Sequence, residues 1–298
     1  MTHNPALEKL GFKPEDRVAI LHVDDVGMCG ASLAAFDELW TKNAVTCGSV
    51  MVPCPWFRAT AEWARAHPDA DLGVHATLTS EWPGYRWGPV STREASSGLM
   101  DDEGAFPRTS PEIMQSADPE AAKAELARQV ELALDAGIKA THFDTHMGSV
   151  MDRKLYPAFT EVAHRFGLAP FALRLTPEQW ARAGYTQETA DVLTAETARI
   201  EKAGTPVLDR IHQLSLSDEE DRLSKTKAMI DAIKPGHIGY VVFHPAHDTP
   251  EIQSICPDWR SRVMDYEMLV SGAIREHAEA QGIRLIGTKA LQNAMEQS

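Results

Sequence analysis

Short apolar runs alternate with longer amphipathic segments along most of the chain. RVAILHV (17–23) reads as a buried strand and ASLAAFDELWTKN (31–43) as the helix after it. VTCGSVMV (45–52), PWFRATAEWARAH (55–67) and DLGVHATL (71–78) continue as strand, helix and strand. The clearest helix is DPEAAKAELARQVELALDAG (118–137), with Asp118 as N-cap, Pro119 at N1 and Gly137 as the stop. ATHFDTH (140–146) predicts a strand running into a loop, 152–166 a helix, FALRL (171–175) a strand and 176–204 a further helical stretch. PVLDRIH (206–212), a helix near 218–233, HIGYVVFH (237–244), a long helix over 260–282 and IRLIG (283–287) complete the pattern. About eight strands alternating with helices predict an α/β fold, a parallel sheet with outer helices, either open and doubly wound or closed into a barrel. No repeat or linker divides the chain, so residues 1–298 read as one domain.

Residues 79–117 break the alternation. They carry prolines and glycines together with Trp82, Tyr85 and Trp87. A loop this long in a compact domain is often functional. It follows a strand and so leaves from the C-terminal edge of the sheet, where ligand sites of parallel α/β folds lie.

The chemistry-bearing residues sit at that same edge. The first strand ends in two adjacent carboxylates, Asp24 and Asp25, whose mutual repulsion needs an offset. His75 lies in the third strand, His142-x-Asp144-x-His146 at the end of the fourth, and His244-Pro245-Ala246-His247-Asp248 at the end of a later one. Parallel strands gather all of these around one space, and a cation there offsets the repulsion. A carboxylate with two neutral imidazoles leaves coordination positions open on a divalent metal. A neighbouring carboxylate can then serve as base and a separate histidine as acid. Asp25 alone also reads as a helix cap. His142 is a reserve ligand. His3, His67, His164, His212, His237 and His277 read as surface, and Trp40, Trp56 and Trp63 as core.

Charge narrows the partners. With 43 acidic against 29 basic residues the chain carries a net charge of -14, which disfavours phosphate backbones and anionic membranes. Cys29, Cys47, Cys54 and Cys256 form no CxxC pair and read as reduced thiols. The first residues show no signal-peptide pattern, and no apolar run approaches the ~20 residues that span a bilayer. A cytoplasmic protein with no nucleic-acid or membrane partner is expected, and a homodimer is allowed.

Six motifs in order, HVDDVG (22–27), VTCGSVMVPCPW (45–56), LGVHATLT (72–79), THFDTH (141–146), FHPAH (243–247) and YEML (266–269), resemble those of the YdjC-like carbohydrate deacetylase family over about residues 17–288. The resemblance implies a distorted TIM-like (β/α) barrel. It implies one divalent metal held by Asp25, His75 and His146, with Asp24 as general base and His244 as acid or substrate-binding histidine. It implies hydrolysis of an N-acetyl group from an amino sugar or short oligosaccharide, with release of acetate. Val26 stands where the family usually has an aromatic residue, and Met147-Gly148-Ser149-Val150-Met151 where it often has more histidines. Magnesium is the metal that the resemblance implies; imidazole ligands favour zinc or another transition metal. Trp82, Tyr85, Trp87 and Arg174 are the candidate substrate contacts, the aromatic faces suiting a sugar ring or packing as a lid. Two other classes fit the same residues: a metal-dependent amide or ester hydrolase acting on a non-sugar substrate, and a metal- or sugar-binding protein without catalysis.

Overall fold

A computed structural model describes residues 3–296. Eight strands form one parallel sheet: β1 Val18–Val26, β2 Cys47–Val50, β3 Leu72–Ala76, β4 Ala140–Thr145, β5 Ala169–Pro170, β6 Arg210–Gln213, β7 Ile238–Phe243 and β8 Arg284–Leu285. Their order is β5-β4-β3-β2-β1-β7-β6. β8 pairs with the start of β1 at Val18 and Ala19, and β2 takes over that side at His22. A single parallel bridge, Leu173 to Leu208, joins the segments that follow β5 and precede β6 and draws the two ends of the sheet together. The architecture is a distorted (β/α) barrel with helices outside. β1 is buried along almost its whole length, which is why it reads as a continuous apolar run and not as an alternation.

The helix Pro119–Asp135 shows how the outer layer positions the site. Asp118 caps it by accepting from the Ala121 N–H at 2.9 Å, and Gly137, at φ 88°, ends it. Its apolar face, Ala122, Leu126, Val130 and Ala133, packs on the core. Two polar residues on the same helix are fully buried. Gln129 accepts from the Thr77 N–H at 3.0 Å and donates to the Thr77 carbonyl at 2.8 Å, and Glu125 accepts from the Val90 and Ser91 N–H groups. The chain leaving β3, just past His75, is thereby fixed by side chains where a ladder partner is lacking.

The remaining elements depart from the pattern in four places. The strand expected at 171–175 is only Ala169–Pro170; the Phe171 N–H still reaches the Phe143 carbonyl at 2.8 Å, and beyond it the chain turns from β4 to the bridge between Leu173 and Leu208. The stretch 176–204 folds as two helices, Pro177–Arg182 and Gln187–Lys202, separated by Gly184 at φ 94°. The helix expected over 260–282 breaks into Trp259–Val270 and Ala273–Ala280 at Gly272, φ 79°. Residues 79–117 contain a 3-10 turn, Ala95–Ser97, and a short helix, Ser110–Ser116, and they bury Trp87, Leu99 and Phe106 against the core. Among the described residues no helix is long and apolar enough to cross a membrane.

Replacing Gln129 by Leu strands two buried backbone groups of Thr77. The expected loss of stability is about 2–4 kcal/mol, roughly one to two per unpaired group. Urea unfolding measures it, and an unchanged midpoint would show that water replaces both bonds.

Candidate metal and catalytic site

In a regular strand Asp24 and Asp25 would face opposite sides of the sheet. They do not, because the pairing of β1 with β2 slips between Val23 and Val26, and Asp25 takes a left-handed conformation, φ 60°. A bulge of this kind re-aims a side chain at the cost of local strain, and Asp is among the residues that tolerate the left-handed region. Gly27 follows at φ 79°, where a Cβ would stand 2.3 Å from Thr60 Oγ1. The glycine is therefore part of the same turn.

The turn brings Asp25 to Arg262, whose Nη1 donates to Asp25 Oδ2 at 2.7 Å. The other carboxylate oxygen, Oδ1, lies 3.2 Å from His146 Nδ1 and 3.5 Å from His75 Nε2. Asp25 Oδ1 and His75 Nε2 are buried and have no hydrogen-bond partner among the described residues. The outward nitrogens of both histidines are occupied. His75 Nδ1 is 2.8 Å from Asp144 Oδ1, and Ser49 Oγ donates to Asp144 Oδ2 at 2.9 Å. His146 Nε2 is 3.1 Å from Glu81 Oε2. Asp25, His75 and His146 each offer a ligand atom, all within 4.8 Å of one another. Unsatisfied inward atoms with carboxylate-held imidazoles are the donor set of a divalent metal site. Asp24, His75 and Asp144 also cluster, as do His22, His142 and Asp144. In those groups the members already bond one another, so fewer atoms remain for an ion.

Protonation follows these contacts. Burial pushes the Asp25 carboxyl up, but Arg262 and the two histidines hold it well below the usual carboxylate range. Burial pushes His75 down, and Asp144 and Asp24 outweigh it, so its imidazolium is favoured. For His146, burial is outweighed by Glu81 and Asp25, which raise it to about 9. His244 is the exception: burial lowers it despite Asp25 and Asp24, and its neutral form is favoured.

Asp24 is the second carboxylate of the pair. Its Oδ1 lies 2.7 Å from His22 Nδ1; its Oδ2 lies 3.6 Å from His244 Nε2 and 3.7 Å from His75 Nε2. Behind it runs a buried chain of polar groups. His22 Nε2 is 2.9 Å from His142 Nε2, His142 Nδ1 is 2.7 Å from Thr288 Oγ1, and the Thr288 and Thr141 hydroxyls both reach Asp71 Oδ1. Burial and the neighbouring His22 lower His142 to about 4, so its neutral form is favoured.

A cavity of about 550 Å³ opens above these groups and is lined by Asp24, Asp25, His146, His244 and Trp82. His75 sits at its base through its contacts to both aspartates. Of the three aromatic candidates Trp82, Tyr85 and Trp87, only Trp82 lines the cavity, its ring 5.4 Å from the Arg262 guanidinium. The Tyr85 hydroxyl donates to the Met28 carbonyl and Trp87 Nε1 to the Thr79 carbonyl, so both pack as structure. Arg174 does not line this cavity. It is in a separate cleft, with Nη2 2.9 Å from Asp209 Oδ1. His142 belongs to the chain behind Asp24, His212 is buried and not on the surface, and Trp56 is 39% exposed and not core. Asp25 caps no helix: the next one, Gly30–Thr41, starts after Cys29. Sequence reasoning missed His22, Glu81 and Arg262. His22 shares the alternation of Asp24 and Glu81 follows the LGVHATLT motif, so both carried a signal; Arg262 lies in a helix read as outer layer and carried none.

The family model of YdjC-like protein matches residues 18–280, and the chain belongs to that family. A protein named carbohydrate deacetylase from Thermus thermophilus is 32% identical over 90% of this chain and 92% of its own length. One of the same name from Listeria monocytogenes is 23% identical over 91% and 99%. Among solved structures, a proposed cellobiose-phosphate cleavage protein from Enterococcus faecalis superposes with a TM-score of 0.75 at 23% identity, covering 93% of this chain and 99% of that one. It shows the same fold.

The opposed shifts set a pH dependence for the metal-free protein. His146, raised to about 9 from 6.5, contributes stability that is present below pH 6.5 and lost as pH rises through about 9. His142, lowered to about 4, is neutral when folded, so stability is lost as pH falls from 6.5 towards 4. The thermal midpoint of chelator-treated protein is expected to peak near pH 6.5, and His142→Gln to flatten the acid side. A midpoint that rises steadily to pH 9 would contradict the ion pairs around His146.

Proposed function

We propose that this chain is a metal-dependent hydrolase that removes an N-acetyl group from an amino sugar or short oligosaccharide and releases acetate. The observation that carries the reading is the pair of unpartnered buried atoms, Asp25 Oδ1 and His75 Nε2, beside His146 and within reach of a second carboxylate and a second histidine. The names of the relatives, carbohydrate deacetylase, support the acyl-transfer class and the sugar.

Asp25, His75 and His146 would hold the cation. The chemistry supplied by such a cation is acidification of water and polarisation of the amide carbonyl. Two imidazoles with one carboxylate suit zinc, nickel, cobalt or manganese, and magnesium remains the metal that the family resemblance implies. The other steps belong to the chain. His22 fixes Asp24 through Oδ1, which leaves Oδ2 to accept the proton of the attacking water. The water oxygen joins the acyl carbon. His244, favoured in its neutral form, enters without a proton to give. It therefore receives the proton from Asp24 Oδ2, 3.6 Å away, and delivers it to the amine nitrogen as the C–N bond breaks. Asp265 Oδ2 accepts from the His244 backbone N–H at 3.0 Å, and Arg222 pairs with Asp265, which sets where that histidine stands. Cys29, Cys47, Cys54 and Cys256 are buried free thiols, which fits a reducing compartment, and we place the enzyme in the cytoplasm.

Asp25→Ala, His75→Ala and His146→Ala are each expected to lose metal and activity; full occupancy in all three would refute the ligand set. Asp24→Asn is expected to keep the metal and lose about 10²–10⁴ in kcat, with His244→Ala showing a similar loss. Metal content measured beside the rate of acetate release from acetylated chitooligosaccharides checks both. Asp24→Asn hydrolysing as fast as the parent with metal bound would remove Asp24 from the mechanism. Metal binding must displace the proton of His146, so affinity is expected to rise with pH up to about 9, with proton release on titration of metal into the protein.

A further inference from the structure

The cavity has two unlike walls. One carries the carboxylates and imidazoles. The other, built from the segments after β5 and along β6, carries Phe171, Leu173, Leu175, Trp180, Ile211 and Leu216. Met147 and Ile211 line the cavity and are two of the few large apolar side chains left exposed, 47% and 38%. The aliphatic members of this wall, Leu173, Leu175, Ile211 and Leu216, offer no flat face to a sugar ring and no partner to a hydroxyl. A hydroxyl placed there loses its bonds to water without replacement.

Charge points the same way. Five carboxylates line the cavity, Asp24, Asp25, Glu81, Asp144 and Asp258, and its one lining Lys or Arg side chain is Arg262. That guanidinium is already engaged, Nη1 by Asp25 and Nε by Asp258 at 3.0 Å. Away from the metal position and its histidines, a phosphate or carboxylate on the substrate therefore meets repulsion with no free Lys or Arg to offset it. Trp180 is buried, and its Nε1–H has no acceptor among the described residues.

The geometry points to a substrate that carries, besides its scissile amide, an uncharged apolar group of several carbons, seated on the β5–β6 wall. This rests on the hydrolase reading above. The group is either an acyl chain longer than acetyl or an alkyl or aryl aglycone on the sugar. The helical pair 177–202 then has a role, since Trp180 and the Tyr185 that follows it, with ring centroids 5.1 Å apart, close that side of the cavity. Water remains the sole co-reactant: its oxygen goes to the acyl carbon and its protons end on the products.

The test measures kcat/KM of the metal-loaded enzyme in two series. One runs through N-acetyl-, N-butanoyl- and N-hexanoylglucosamine; the other runs from the methyl to the octyl glycoside of N-acetylglucosamine. One series is expected to rise about fourfold per methylene until the wall is covered, which identifies where the apolar group is attached. Ile211→Asn and Leu216→Asn, both partly exposed and so tolerated by the fold, should each lower that slope. A sugar 6-phosphate should be hydrolysed more slowly than its parent sugar. Flat or falling values in both series, or a preference for the phosphate, with the plain N-acetyl sugar turned over well, would overturn the inference and leave the hydrolase reading standing. Calorimetric binding to the Asp24→Asn variant separates the two readings. If no amide is hydrolysed but the hexanoyl sugar binds more tightly than the acetyl one with a negative heat-capacity change, the wall assignment holds and the hydrolase reading falls. If neither turnover nor binding depends on chain length, the inference falls.

Discussion

Two carboxylates side by side, buried at the end of the central strand, are the constraint around which the rest of the molecule is arranged. Asp25 is 1% exposed and Asp24 13% at its side chain. Removing an ionised carboxylate from water costs several kcal/mol unless a partner is placed against it. The fold supplies such partners from every direction. Arg262 comes from an outer helix, His75 from β3, His146 from the end of β4, His22 from the same strand and His244 from the end of β7. Parallel strands make this convergence cheap in chain length, because each one delivers its terminal residue to the same edge. The left-handed turn at Asp25 is the local cost of placing both acids on that side, and its pairing with Arg262 holds the turn in place.

The same convergence determines how much could be read beforehand. The strand ends, the adjacent aspartates, His75 and His146 were legible because they are local: an apolar run followed by a donor residue survives any detail of packing. The pairings were not. Arg262 lies 237 positions from Asp25, in a helix whose pattern looks like any amphipathic helix. Strand periodicity placed Asp24 and Asp25 on opposite faces, and only the slip against β2 shows why both face the cavity. The histidines at positions 142 and 22 illustrate the complementary failure. A histidine near a metal motif reads as a reserve ligand, whereas these two bond each other and Asp24 with their ring nitrogens. Arg174 failed for a different reason: the expected strand at 171–175 stops at Pro170, and the irregular chain beyond turns its guanidinium to Asp209 in the neighbouring cleft.

Distortion of the barrel and shape of the cavity are linked. On the β1–β4 side the strands are regular, and the polar groups at their ends stand in a fixed register. On the β5–β6 side one strand is two residues long and the closure is a single bridge, Leu173 to Leu208. The wall there is made from irregular chain and from the 177–202 helices, so its lining is free to be apolar without disturbing a ladder. A polar centre of fixed geometry thus faces a wall lined largely by apolar side chains.

Each group at the centre divides its atoms between the protein and the cavity. Asp25 gives Oδ2 to Arg262 and turns Oδ1 inward; Asp24 gives Oδ1 to His22 and leaves Oδ2 facing His244. His75 gives Nδ1 to Asp144, and His146 gives Nε2 to Glu81. With one atom of each side chain anchored, no rotamer change brings the other out of place, so the inward atoms are aimed before any ligand arrives. That pre-organisation is what a site acting on developing charge requires. It also limits Asp25 to one ligating oxygen as long as Arg262 holds the other. Three side chains would then supply three donor atoms to a divalent ion and leave its remaining positions to water and substrate. The ion pair that makes the buried carboxylate tolerable is, by the same contact, the one that keeps the site open.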